Sequence, residues 1–246
     1  MDSTLVPGWY GKMPARGDFS SRRLPTEFIQ FWDTWLQNAI ITSRAQLGEH
    51  WLNLYLNCPV WRFILMPKLY NQCIWTGILM PSVDKVGRYF PLTIAIQLKV
   101  SPGILTTIIN AQNWFNDIEQ LALRSLNTDF SPENLDQNLV KYPFPTNEIN
   151  PSPTTSIQEF MLWWESDSDN RLGLNDKVQQ LVIEDMPLFF SFMMEYQFTQ
   201  LGSQKSIWWH ESSVSKATHL KCFTGLPETD HFVTLLRGDD SQSINP

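Results

Sequence analysis

The chain of 246 residues is 43% hydrophobic and 17% charged, so it can bury a substantial core in one large domain or two small ones. That balance excludes a disordered protein. The formal net charge of −7 and the pI near 5.1 argue against nucleic acid or an anionic membrane surface as the main partner.

The cysteines and the length of the hydrophobic segments indicate the cellular compartment of the protein. Cys58, Cys73 and Cys222 are odd in number and have no C-x-x-C spacing, and no signal peptide is recognisable. No apolar run approaches the roughly 20 residues that a membrane-spanning helix needs. We therefore expect a soluble, cytoplasmic protein in a reducing environment, without membrane insertion.

The stretch from Gly8 to Leu36 combines an extended aromatic run, a turn and an amphipathic helix. Pro14 closes the extended run, Ala15 to Asp18 form the turn, and Pro25 fits the first position of the helix. Large apolar side chains then recur with helical spacing, at Phe28, Phe31, Trp32, Trp35 and Leu36. This stripe predicts a helix that buries one aromatic face in the core.

The next hundred residues read as a short helix, three strands and a long helix. Ser43 is a candidate N-cap for a helix over about Arg44 to Leu54, and Ser101 with Pro102 opens a helix to about Leu126. The three strands between them are rich in apolar, β-branched and aromatic residues. They are predicted at Val60 to Met66, Ile74 to Met80 and Tyr89 to Lys99.

Periodicity is weaker in the C-terminal half. Ser131 and Pro132 begin a short helix, and the proline-rich Lys141 to Thr155 reads as a loop. Ser156 to Glu159 is a capping box that opens another helix. The remaining elements are predicted as a buried helix at Pro187 to Tyr196, strands at Ser206 to Glu211 and Thr218 to Phe223, and a last helix from Pro227.

These elements predict an α/β (α+β) fold. We expect residues 1–246 to form a single layered domain, with the loop at 141–155 as its one internal boundary. Its sheet is predicted to be mixed, mostly antiparallel and about six-stranded, with helices on both faces.

No set of residues typical of a catalytic or metal site stands out. Gly11-Lys12 lacks the glycines and the hydroxyl residue of a phosphate-binding loop, and no G-x-S-x-G is present. The histidines have no ligand spacing among themselves or with the cysteines. They are His50, His210, His219 and His231. We therefore expect no enzymatic activity, no metal and no cofactor.

Charged residues cluster at two predicted turns. The first group surrounds the turn after Pro14, and the second lies between two predicted strands, next to Gly87. The candidate site consists of Arg16, Asp18, Arg22, Arg23, Asp84 and Arg88, with Lys85 beside the last two. Two interpretations stay open: a carboxylate paired with an arginine ties a loop down, or these groups form a polar face that binds a partner.

Two blocks of sequence carry a family resemblance. GWYGKMPARGDFSSRRLP with the following F-x-x-x-W-D-x-W-L helix, and the block Ile78 to Thr93, resemble the TagF (ImpM) family of bacterial type VI secretion-associated proteins. The resemblance implies a negative, post-translational regulator that acts through a forkhead-associated (Fha) scaffold protein. For such a regulator, we expect the candidate site to be the partner-binding face.

Two other functions remain as alternatives. The first is a small-molecule or nucleotide-sensing domain with a crevice at the strand ends, in which Arg88 and Lys12 contact an anion. The second is a hydrolase built on Asp84 or Asp18, for which the sequence offers no catalytic partner.

Overall fold

The computed structural model describes residues 5–101, 103–145, 186–212 and 217–238. The strands are β1 (Gly8–Gly11), β2 (Ser20–Arg22), β3 (Trp61–Leu65), β4 (Ile74–Met80), β5 (Leu92–Leu98), β6 (Lys205–Glu211) and β7 (Thr218–Thr224). The α-helices are α1 (Thr26–Leu47), α2 (Trp51–Asn57), α3 (Ile104–Asn110), α4 (Gln112–Arg124), α5 (Pro132–Leu139), α6 (Met186–Leu201) and α7 (Phe232–Arg237). A short 3-10 helix, Gly48–His50, joins α1 to α2.

All of these strands belong to one sheet, in the order β2-β1-β5-β4-β3-β6-β7. Every neighbouring pair is antiparallel. The layered α+β architecture with helices on both faces is confirmed, with seven strands where about six were expected. Strands from both ends of the described chain take part, because β1 pairs with β5 and β6 pairs with β3.

The two faces of the sheet are buried under different side chains. Successive residues of a strand point to opposite faces, so Trp75 and Leu79 of β4 lie on one side, and Ile74 and Ile78 on the other. The side covered by α1, α2 and α7 is here called the aromatic face. Its large members include Phe28, Trp32, Trp35, Phe63, Trp75 and Trp208.

The opposite side, covered by α3, α4 and α5, is called the aliphatic face because isoleucine and leucine predominate in it. A buried cation attaches α4 to the sheet on this side. Arg62 of β3 donates to Glu119 at 2.5 Å, to Gln112 at 2.5 Å and to Asn116 at 2.7 Å. These bonds compensate the cost of burying the guanidinium group.

The stripe predicted for the first helix is confirmed, but the helix is longer than expected and the second helix is displaced. α1 continues to Leu47, past the candidate cap Ser43. The Ser43 hydroxyl is buried, donates to the Ile40 carbonyl at 3.0 Å and accepts from the Trp51 indole N–H at 2.9 Å. The serine therefore satisfies a tryptophan inside the core and does not begin the second helix, which starts at Trp51.

The long helix predicted from Ser101 to Leu126 is wrong as a single element. α3 begins at Ile104, after Gly103 with φ of 80°, a left-handed value that favours glycine. The backbone leaves helical geometry at Ala111, where ψ is 36°, and α4 begins at Gln112. Alanine is the best helix former, so residue propensity gives no sign of this break.

Three smaller expectations also change. Arg22 lies in strand β2, whereas the sequence analysis placed it with the residues around the turn after Pro14. The last helix begins at Phe232, five residues after Pro227. α6 confirms the helix predicted at Pro187 to Tyr196, but Met194 on it is 71% exposed, so that part of the helix is not buried. The capping box at Ser156 and residues 146–155 of the predicted loop lie outside the described residues.

Candidate functional site

The turn that carries the second charged group is shaped by its aspartate. The Asp84 N–H donates to the Arg88 carbonyl at 3.0 Å. One carboxylate oxygen of Asp84 accepts the backbone N–H groups of Val86 and Arg88 at 3.0 and 2.9 Å. Gly87 has φ of 84°, and side chains other than glycine are strained in this region. Sequence and hydrogen bonding therefore fix the loop between Asp84 and Arg88 in one conformation.

Asp84 is the centre of a buried charge network. Its second oxygen accepts from the Lys12 ammonium at 2.7 Å and from Arg88 Nε at 2.6 Å, and the Asp84 side chain is 0% exposed. Burial raises the pKa of Asp84, but the hydrogen bonds from Lys12, Arg88 and Val86 outweigh it, and the pKa lies well below its usual value. The carboxylate is therefore ionised and fully engaged.

The same network joins the two turns. The Arg88 guanidinium donates to the Gly17 carbonyl, and the Lys85 N–H donates to the Arg16 carbonyl at 2.9 Å. The two charged groups, some 70 residues apart in the sequence, form one continuous surface. Asp84 thus pairs with Arg88, as the first of the two interpretations expected, and the further partner of Asp84 that sequence reasoning missed is Lys12.

The first charged group divides into tied and exposed residues. Arg23 pairs with Asp136 of α5 at 2.5 Å and donates to the Pro7 carbonyl at 3.0 Å. Arg16 pairs with Glu133 at 3.0 Å, but both side chains are about half exposed, so this ion pair adds little stability. Asp18 accepts from the Phe19 N–H at 2.8 Å, and Arg22 donates to the Ser21 carbonyl at 2.8 Å. Asp18 and Arg22 are both exposed.

An aromatic residue that the sequence analysis did not include completes this surface. Phe19 is 39% exposed, stacks on Tyr10 with ring centroids 5.5 Å apart, and meets Phe90 edge-on at 4.8 Å. The Lys12 ammonium lies 4.8 Å from the centroid of the Phe19 ring. Exposed aromatics are enriched at protein contacts, and the high count of Phe and Trp was the one sequence signal for it.

An open groove lies beside the second turn, between α1, the 3-10 helix, α2 and residues 87–90. Ile41 and Leu52 present apolar side chains to it, Arg44 and Arg88 are cationic, and Glu49 is anionic. Of these residues, the sequence analysis named only Arg88 as part of a candidate site. Ile41 follows Thr34 and Gln37 at spacings of seven and four, on the exposed side of α1, and this was the available signal for an exposed isoleucine.

The site offers little to the alternative functions. Lys12, proposed with Arg88 as a contact for an anion, is buried against Asp84 and out of reach of a ligand, whereas Arg88 also pairs with Asp84 but keeps 57% of its side chain exposed. Burial raises the pKa of the Cys58 thiol to about 12, which keeps it unreactive at neutral pH. Among the described residues, Glu228, Asp230 and His231 bring ligand atoms within 4.8 Å of one another, but all three are exposed, as acidic groups without a metal commonly are.

The comparisons with known proteins agree with this geometry. Residues 8–142 match the family model described as "TagF N-terminal domain, Type VI secretion system-associated". The chain belongs to the TagF N-terminal domain family. The crystal structure of PA0076 from Pseudomonas aeruginosa PAO1 is similar to it, with 30% identity, a TM-score of 0.71, and coverage of 95% of this chain and 94% of that chain. No curated protein matches the sequence.

The range that matches the TagF family model includes the whole candidate site. Both blocks that suggested it, and the Asp84 network that joins them, lie within residues 8–142. β6, β7 and α7 lie beyond that range, yet β6 pairs with β3 in the same sheet. None of the helices that the structure describes has the length and apolar character to cross a lipid bilayer.

Proposed function

We propose that the protein is a negative, post-translational regulator of type VI secretion that binds a forkhead-associated (Fha) scaffold protein and works without catalysis in the cytoplasm. Membership of a type VI secretion-associated family supports the assignment to that secretion system. The observation that carries the mode of action is the surface made by the two turns. It presents Arg16, Asp18 and Phe19 on a buried charge network, and Arg22 is exposed on the adjoining strand β2.

The engagement of Asp84 favours binding over catalysis. A general acid or base needs a proton that can be exchanged near neutral pH, whereas the Asp84 carboxylate is buried and paired with two cations. Rigid support of exposed polar and aromatic groups is instead typical of a protein-binding surface, because less conformational entropy is lost on association.

The test is the affinity of the purified full chain for the scaffold protein. Arg22→Ala removes an exposed cation from the surface, and we expect about tenfold weaker binding with an unchanged melting temperature. Arg124→Ala, an exposed arginine at the end of α4, is the matched control and should bind as the wild type does. Arg88→Ala should lower both affinity and stability, because it also releases Asp84.

Two results would contradict the proposal. If the wild-type protein does not bind the scaffold protein, the proposed partner is wrong. A rise in melting temperature with nucleotides or other small anions, in a screen run beside the binding assay, would favour the sensing function. In cells, loss of repression by Arg22→Ala counts in favour of the proposal when the variant is folded and present at the wild-type level.

A further inference from the structure

The groove beside α1 combines a buried aromatic floor with exposed apolar walls. Trp51 and Phe90 form part of the floor and are almost fully buried. Ile41, which lines the groove, is 66% exposed, and Leu52 is 40% exposed. Exposed apolar side chains that converge on one concavity, with a polar rim, are typical of a contact site.

The charge at this groove opposes that of the whole chain. Its charged lining residues are Arg44, Arg88 and Glu49, and the Asp84 carboxylate behind Arg88 is shared with Lys12, so the local balance is positive while the chain carries −7. The Arg44 guanidinium carbon lies 4.1 Å from the centroid of the Trp51 ring, which holds the cation over the floor. Arg88 is held in turn by Asp84 and Gly17. Both cations are therefore positioned before any partner binds.

The groove is continuous with the surface proposed to bind the scaffold. Phe90 of its floor contacts Phe19 edge-on, and Arg88 of its rim bonds to the turn at Gly17. Along α1, the stretch from Gln37 to Arg44 is about 10 Å long. That length suits two turns of a helix lying alongside it.

We infer that this groove binds an amphipathic, acidic segment of the scaffold protein. Its apolar residues lie against Ile41 and Leu52, and its carboxylates pair with Arg44 and Arg88. The mode is that of a helix in a groove, and the acidic character follows from charge complementarity. The inference rests on the proposed function and adds the surface and the chemistry of the partner segment.

The experiment compares the affinity for the scaffold of full-length variants with opposite expected effects. Ile41→Glu places a carboxylate among the apolar contacts and should weaken binding about tenfold or more. Glu49→Lys removes the anion of the groove and should strengthen binding about two- to threefold, with a steeper dependence on salt. Ile109→Glu, at a residue of α3 that is 59% exposed, is the matched control and should leave the affinity unchanged.

The outcomes separate this inference from the proposed function. If wild-type protein binds the scaffold and Ile41→Glu binds equally well, the groove assignment is wrong and the proposed function stands. If the wild type does not bind, both fail. If Glu49→Lys binds the scaffold more weakly than the wild type, the inference that the partner segment is acidic is wrong.

Two further measurements cover other occupants and folding. A wild-type dimer in sedimentation that Ile41→Glu dissociates, with unchanged scaffold affinity, would assign the groove to a second copy of the chain and overturn the inference. Ile41→Ala adds no charge at this exposed residue and serves as a control for misfolding of the Ile41→Glu variant. It should melt as the wild type does and still bind the scaffold about threefold more weakly; unchanged affinity would count against the groove.

Discussion

The aromatic and aliphatic faces of the sheet differ in how their side chains are held. On the aromatic face, indole N–H groups make directed hydrogen bonds: Trp32 to the Thr93 hydroxyl at 2.8 Å, Trp35 to the Pro227 carbonyl at 2.8 Å, and Trp61 to the Leu235 carbonyl at 3.0 Å. On the aliphatic face, most side chains are isoleucine and leucine, which pack without directed bonds. Its directed bonds among the described residues are fewer: those of Arg62, of the Trp9 indole to Asp136 at 3.2 Å, and of the Trp114 indole to the Tyr142 carbonyl at 3.1 Å.

This difference shows where geometry is fixed most tightly. Hydrogen bonds demand particular distances and angles, whereas aliphatic packing tolerates exchange of similar volumes. The candidate site adjoins the aromatic face, because Tyr10 and Phe90, which support Phe19, belong to that cluster. The aromatic face, whose side chains are held by directed hydrogen bonds, is thus the one that supports the proposed binding surface.

The largest effect should come from emptying the centre of the aromatic face. Trp32→Ala removes a fully buried indole, and we expect it to lower the free energy of unfolding by about 3–5 kcal/mol. Ile118→Val, at a fully buried residue of the aliphatic face, should cost about 1 kcal/mol. Denaturant unfolding measures both. A Trp32→Ala cost below about 1 kcal/mol, as at surface positions, would mean that the stripe is not part of the core.

The second effect concerns the charge network at the edge of the aromatic face. Asp84→Asn leaves the buried Lys12 ammonium without its carboxylate and should cost about 3 kcal/mol. Asp18→Asn makes the same chemical change at an exposed residue and should cost less than about 0.5 kcal/mol. Equal stability of the two variants would show that the network contributes nothing.

The same carboxylate predicts a pH dependence. The pKa of Asp84 is lowered by folding, so its contribution is fully present above the pKa of the unfolded chain, about 3.9. It is lost progressively as the pH falls from there towards the lower pKa of the folded state. The difference in stability between wild type and Asp84→Asn should therefore be constant from about pH 5 to 7 and shrink below about pH 4. A difference that grows on acidification would contradict this sign.

The smallest effect tests one directed bond. Trp35→Phe keeps an aromatic ring but removes the N–H that binds the Pro227 carbonyl, and we expect a loss of about 1–2 kcal/mol. Hydrogen exchange should report faster opening of α7, since Phe232 also packs edge-on against Trp35. If amides of α7 exchange at the wild-type rate, the bond does not hold the C-terminal helix.

The sequence predicted elements whose cause is local. The stripe from Phe28 to Leu36 and strands β3, β4 and β5 follow from residue periodicity and were confirmed. β2 has only three residues, and its strand character comes from pairing with β1. Ser43 has the chemistry of a helix cap, and only its burial beside Trp51 shows that it serves the core.

The site divides in the same way. Pairing of a carboxylate with an arginine was one of the two interpretations, and the structure shows it within the turn, between Asp84 and Arg88. Lys12 is 72 residues from Asp84 in the sequence, so its role depends on the approach of β1 to β5. The groove was missed because it arises where α1, α2 and the turn meet.

The order of strands in the sheet has a consequence for synthesis on the ribosome. The β3–β4–β5 meander connects neighbours in sequence and can form as soon as residue 98 has emerged, and β1 can then join β5. β3, however, remains an open edge until β6, at residues 205–211, is made. The unpaired backbone N–H and C=O groups of an edge strand can pair with a strand of another chain. The nascent protein therefore passes through a stage in which the edge of β3 is exposed to misassembly and chaperones have a substrate to bind.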